Sequence, residues 1–133
     1  MQGRCYCGDI RYEVTGKPVL KAQCHCRECQ YITGGGPNYF MTVPSDTVRI
    51  TQGQAAEFER DDLAAPRLRS FCPRCGTHLF THIRERGLSV VKIGTLDDPE
   101  LDYGGPKVAI YTCDLPSYHE IPDGMPTFDK RPG

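Results

Sequence analysis

Seven of the chain's eight cysteines fall in three tight groups: Cys5-Tyr6-Cys7, Cys24-His25-Cys26-Arg27-Glu28-Cys29 and Cys72-Pro73-Arg74-Cys75. Thiolates one to three residues apart can turn toward a single ion, whereas cysteines separated by one residue close only a strained disulfide ring. The spacing is therefore that of metal sites, with Zn²⁺ the ion that soft sulfur sets favour. The middle group supplies three sulfurs and leaves a tetrahedral ion one position for water or substrate, as a catalytic zinc requires. The outer groups supply four, Cys5, Cys7, Cys72 and Cys75, the number that closes a structural zinc and couples metal uptake to folding. Spacing alone leaves a second pairing open, with Cys5, Cys7, Cys24 and Cys26 on one ion and Cys29, Cys72 and Cys75 on the other. It also leaves open a triplet closed by Cys113 or a histidine, although Cys113 reads more simply as a small buried hydrophobe.

The chemistry expected at an open three-thiolate zinc is that of sulfur. A thiol entering the fourth position loses its proton, and the resulting thiolate is ready to attack a carbonyl or to be transferred. The implied partner is a small thiol or its adduct. Arg27 and Tyr31 flank the triplet and are candidates for holding a carboxylate-bearing thiol, by a planar fork and a hydroxyl. Gly34 and Gly35 belong to a glycine run whose bare backbone can let a substrate approach. His25 lies between two ligands and should point away from the metal, solvated or hydrogen-bonded nearby. His78, His82 and His119 stand singly and read as structural or exposed, and Asp97-Asp98-Pro99 as turn chemistry.

Composition narrows the class. The 133 residues suit one domain, 1–133, with a modest core that metal cross-links would reinforce. The formal charge is -1, and seven thiolates against two doubly charged ions lower it by a further three, so nucleic acid is not an expected partner. No long apolar run suggests a membrane span, and Met1-Gln2-Gly3-Arg4 leads directly into Cys5 without a signal peptide. A reducing, cytoplasmic setting is the expectation.

Short strands must position these groups. Residues 9–14 alternate apolar and polar, 19–23 deliver Cys24, and 38–43 and 47–51 resume strand chemistry around a Pro44-Ser45-Asp46 turn. Further strands are expected at 69–71, 77–83, 88–93 and 107–111, with a loop at 33–37 and a polar excursion at 61–66. No ordinary helix is predicted, only a short helical turn after Cys26 or near Pro116. The class is a mainly antiparallel β domain of roughly eight or more short strands, pinned by metal at its turns.

The chain resembles the glutathione-dependent formaldehyde-activating enzyme (GFA, CENP-V/GFA domain) family. The resemblance is carried by Gly3-Arg4-Cys5-Tyr6-Cys7-Gly8 with Arg11-Tyr12, the Cys24 to Cys29 group with Gly34, Phe71-Cys72-Pro73-Arg74-Cys75-Gly76-Thr77, and Gly94-Thr95-Leu96-Asp97-Asp98-Pro99, with an echo in Asp123-Gly124-Met125-Pro126. It implies a zinc-bearing β-tent of coiled antiparallel strands, with Cys5, Cys7, Cys72 and Cys75 on the structural zinc and Cys24, Cys26 and Cys29 on the second. It also implies a carbon–sulfur lyase-type reaction joining glutathione and formaldehyde into S-(hydroxymethyl)glutathione. The alternative is a non-catalytic, zinc-stabilised binding module for a protein or small thiol. Gln30-Tyr31 and Tyr118 depart from the family pattern, which often has basic residues at the first position and Trp near the second.

Overall fold

A computed structural model of the chain describes residues 1–132. Among them, ten short strands form two open sheets. The smaller sheet joins β1 (Gln2–Arg4), β2 (Arg11–Val14) and β5 (Val48–Gln52). The larger has the order β10-β3-β4-β9-β8-β7-β6, built from β3 (Leu20–Cys24), β4 (Asn38–Pro44), β6 (Ala56–Phe58), β7 (Leu68–Phe71), β8 (His78–Ile83), β9 (Leu88–Lys92) and β10 (Val108–Ile110). Among the described residues, two short α-helices, α1 (Arg27–Thr33) and α2 (Pro99–Asp102), and four 3-10 turns complete the regular structure.

The chain is mainly β, as expected, but not wholly antiparallel. β10 runs parallel to β3, with Val108, Ala109 and Ile110 opposite Ala22, Gln23 and Cys24. The connection from β9 to β10 explains this: residues 93–107, with a 3-10 turn and α2, carry the chain back far enough for a parallel return, which a tight hairpin cannot do. Sequence reasoning also passed over β1, the edge strand β6 in the thinly apolar 54–60 stretch, and α2. The last is started by the Asp98 carboxylate accepting from Leu101 N–H at 3.1 Å and by Pro99 in its first turn.

Strand periodicity gives the larger sheet two faces with different tasks. Met41 and Val43 of β4, Phe80 of β8 and Val91 of β9 turn toward the smaller sheet and meet Ile10, Tyr12 and Val14 in one sealed core. Tyr12 packs edge-on to Phe80, with centroids 4.8 Å apart. Its hydroxyl is satisfied too: Thr95 Oγ1 donates to the Lys92 carbonyl at 2.7 Å, so the Tyr12 O–H donates to Thr95 Oγ1 at 2.7 Å. A Cβ at Gly3 would lie 2.4 Å from both the Thr95 carbonyl and the Tyr12 ring, so glycine there is a packing requirement. The opposite face presents Ala22, Cys24, Phe40, Val90 and Ile110 as a second apolar cluster, against which Cys26 and Cys29 pack.

His78 and His82, both on β8, supply a pH dependence. His78 donates from Nε2 to the Phe80 carbonyl at 3.0 Å, and burial pushes its pKa down to about 3; burial lowers that of His82 as well. Above the ordinary histidine pKa near 6.5, neither the folded nor the unfolded chain carries the extra proton, and the contribution is complete. Between that value and about 3, only the unfolded chain takes it up at position 78, so stability falls with pH by up to about 1.4 kcal/mol per unit. Urea unfolding at pH 7 and pH 5 is expected to show this loss in the wild type and a smaller one in His78→Gln. Equal losses in the two would remove His78 from the account.

Candidate metal and thiol site

The two cysteine sets assemble as separate clusters. Cys5, Cys7, Cys72 and Cys75 form one, and Cys24, Cys26 and Cys29 the other, with ligand atoms within 4.8 Å of one another in each. The rival pairing therefore has no geometric support. Two turns build the four-sulfur cluster, Cys5–Gly8 after β1 and Cys72–Gly76 after β7. Each returns a backbone N–H to its first cysteine carbonyl, Gly8 to Cys5 at 3.1 Å and Gly76 to Cys72 at 2.9 Å, and Gly76 closes its turn at φ 77°. Ile10 N–H points at Cys5 Sγ at 3.3 Å. The Thr77 hydroxyl, 3.1 Å from Cys75 Sγ, leads the interactions that lower the Cys75 pKa to about 5.

The donor set fits zinc. Bonds of about 2.3 Å at the tetrahedral angle separate sulfurs by about 3.8 Å. Cys5 and Cys7 Sγ are 3.6 Å apart, and Cys7 and Cys72 Sγ 3.8 Å.

The triplet arises where β3 ends and α1 begins. Cys24 is the last residue of β3, and Cys26 is the N-cap of α1, its Sγ accepting from Cys29 N–H at 3.2 Å. The helical turn predicted after Cys26 thus serves to bring Cys29 back beside Cys26. Three crowded thiols cannot all ionise without a cation: hydrogen bonds from Cys24 and Cys29 push the Cys26 pKa down to about 3, and the same interactions push that of Cys24 up. A metal ion would remove that conflict. Among the described residues neither Cys113 nor any histidine joins the triplet. Cys113 is exposed on a 3-10 turn, correcting its expected burial, because the segment carrying it runs along the surface outside both clusters.

The triplet opens into a cavity of about 640 Å³ on the second face of the larger sheet. Phe40, Val90 and Ile110 line it from the sheet, alongside Asn38, Thr81 and Lys92. Arg27, Arg67, Arg69, Arg86, Arg131 and Lys92 face it, against Glu28 and Asp114, so the cavity is locally cationic although the whole chain is not. Arg69 spans the site, donating to Glu28 Oε2 on α1 at 2.9 Å and to Thr81 Oγ1 on β8 at 3.3 Å. A second hollow of about 460 Å³ shares Glu28, Leu63, Arg67 and Arg69 as a wall.

The sequence-derived substrate residues separate. Arg27 lines the larger cavity, but its guanidinium donates to Gln30 Oε1 at 2.6 Å and stacks 5.1 Å from the Tyr31 ring centroid. Tyr31 is 79% exposed and borders only the smaller hollow. Gly34 and Gly35 line neither.

The Gly35 carbonyl instead accepts from His119 Nε2 at 2.7 Å. That leaves His119 Nδ1 to accept from His25 Nδ1 at 2.9 Å, and His25 Nε2 to accept from Gln23 Nε2 at 3.0 Å, a consistent chain of neutral tautomers. Burial lowers the His25 pKa, in keeping with a neutral ring. His25 is buried rather than solvated, because the segment carrying His119 and Glu120 folds over β3. His25 and His119 are a pair rather than two isolated residues.

Residues missed from sequence are Lys92, Arg69 and Thr81. Their signal was parity: Leu88, Val90 and Lys92 share a face of β9, and a lysine breaks an otherwise apolar row.

The family model described as glutathione-dependent formaldehyde-activating enzyme matches residues 1–114. The chain belongs to this family, GFA. A Halomonas elongata protein named "Putative glutathione-dependent formaldehyde-activating enzyme" is 30% identical over 86 residues, covering 60% of this GFA chain and 54% of the relative, so the match spans about half the relative's length. A crystal structure of a Rhodobacter sphaeroides protein superposes with a TM-score of 0.61 at 20% identity, over 73% of this chain and 88% of that one, a likeness of fold. Among the described residues, no helix of this GFA chain is long and apolar enough to cross a membrane.

Proposed function

We propose that residues 1–133 act as one zinc-binding enzyme unit that joins a small thiol of the glutathione type to a small aldehyde, or breaks the adduct. This is a reaction of the carbon–sulfur lyase type. The observation that carries the reading is the asymmetry of the clusters: four sulfurs tied into turns at one, and three at the wall of a cationic cavity at the other. Zn²⁺ at Cys24, Cys26 and Cys29 would supply a position where an incoming thiol gives up its proton. Cys5, Cys7, Cys72 and Cys75 would hold the structural ion. The chain's own residues do the rest. Phe40, Val90 and Ile110 keep the sulfur's surroundings apolar, and the arginines draw in a carboxylate-bearing thiol. As the new carbon–sulfur bond forms, the carbonyl oxygen gains a proton and becomes a hydroxyl, with no change of oxidation state overall. Eight cysteines free of disulfides fit a reducing, cytoplasmic setting.

Cobalt substitution tests this reading. With Co²⁺ in both sites, adding glutathione is expected to shift the visible ligand-field bands of one ion and leave the other unchanged. Spectra indifferent to thiol would refute an open triplet site.

A further inference from the structure

Lys92 is the last residue of β9, 9% exposed, on the same sheet face as Phe40 and Val90 and in the wall of the cavity that holds Cys24, Cys26 and Cys29. Burying an ammonium is costly unless a partner compensates it. Among the described residues no carboxylate does so: the carboxylates of this region are engaged elsewhere, Glu28 with Arg69 and Arg60, no acidic oxygen lies within 4 Å of its Nζ, and the opposite charge beside it is that of the triplet's own thiolates, which a bound metal would neutralise. Among the described residues every fully sealed side-chain nitrogen or oxygen has a hydrogen-bond partner, so Nζ, which has none, opens onto the cavity. Arg69, by contrast, is already committed to Glu28 and Thr81. Beside the thiols the cavity wall thus holds a buried cation with no carboxylate partner among the described residues.

We infer that Lys92 anchors a carboxylate subsite next to the cysteine triplet, filled by the carboxylate of a small ligand reacting there. This rests on the thiol-site reading above and deepens it. A neutral aldehyde such as formaldehyde brings no charge for such a cation to bind before reaction. The carboxylate comes either from the thiol or from an electrophile of the 2-oxo acid class, and each source predicts a different binding pattern.

The experiment is calorimetric titration of the zinc-loaded protein with two matched pairs: 3-mercaptopropionate against its methyl ester, and oxamate, an unreactive stand-in for a 2-oxo acid, against ethyl oxamate. Binding of the thiol ester to the wild type tests the thiol site itself. The difference between acid and ester tests the subsite. In at least one pair the acid is expected to bind roughly tenfold or more tightly than the ester, and the pair that shows the effect names the source. Lys92→Met should reduce that preference to within about twofold, keep both zinc ions and melt no lower than the wild type, because it removes an uncompensated buried charge. Equal binding of acid and ester by the wild type in both pairs overturns the inference, and so does a preference that survives in Lys92→Met. Loss of the triplet zinc in Lys92→Met also overturns it, since Lys92 would then be only a counter-charge to the thiolates. Should Lys92→Met fail to fold, Lys92→Gln takes its place, read by the same two outcomes.

Discussion

Cys72→Ser is expected to abolish cooperative folding, whereas Cys26→Ser leaves a folded protein short of one metal ion. Cys72 is buried in the main core and belongs to a cluster joining turns 65 residues apart in sequence. Removing one of its four sulfurs opens the clamp between the two sheets and leaves a hydroxyl in an apolar setting. Structural zinc binding in small domains is worth about 10–16 kcal/mol, as large as the about 5–15 kcal/mol by which a domain is stable at all. Losing most of it leaves nothing to hold the native state. Cys26, by contrast, lies at the N-cap of a seven-residue helix beside a cavity, and its serine retains an oxygen that can accept from Cys29 N–H. Circular dichroism melts with metal analysis of both variants give the check. Equal unfolding in the two would show that both clusters are structural and would remove the proposed division of roles.

Phe80→Ala is expected to cost about 3–5 kcal/mol, the range for deleting a fully buried aromatic. Phe80 is 1% exposed and packs edge-on against Tyr12 where the two sheets meet. Its loss would open a cavity that neither sheet can close, since β7 and β9 hold β8 in register from both sides. The urea midpoint should fall sharply with little change in slope. Phe58→Ala on the edge strand β6 is the control, because a half-exposed ring has less to lose. A cost below about 1 kcal/mol at position 80 would contradict the packing of one sheet on the other.

Much of this architecture could be read locally. Alternation in residues 9–14 placed β2, and the strand-forming residues of 38–43 placed β4. Cysteine spacing marked three groups of metal-binding thiols without settling how they pair. What escaped had no local signal of its own. β6 is a three-residue edge strand with little apolar content, formed because β7 offers it a free edge. The parallel β10 depends on where a fifteen-residue connection returns. Tyr31 and Gly35 lie near the triplet in sequence yet face away from its cavity, because a helical turn rotates one outward and His119 ties the other down.

The sequence by itself determined the donor chemistry, the mainly β class and the family. Residue type and short-range spacing suffice for these, since thiols one to three residues apart must share a neighbourhood in any fold. Only the tertiary structure decided which cysteines meet across 65 residues, that the triplet borders a cationic cavity, and that Lys92 stands in its wall with no carboxylate partner among the described residues. Each of those depends on strands distant in the chain lying side by side, where the parity of a residue on its strand settles which face, and so which chemistry, it joins.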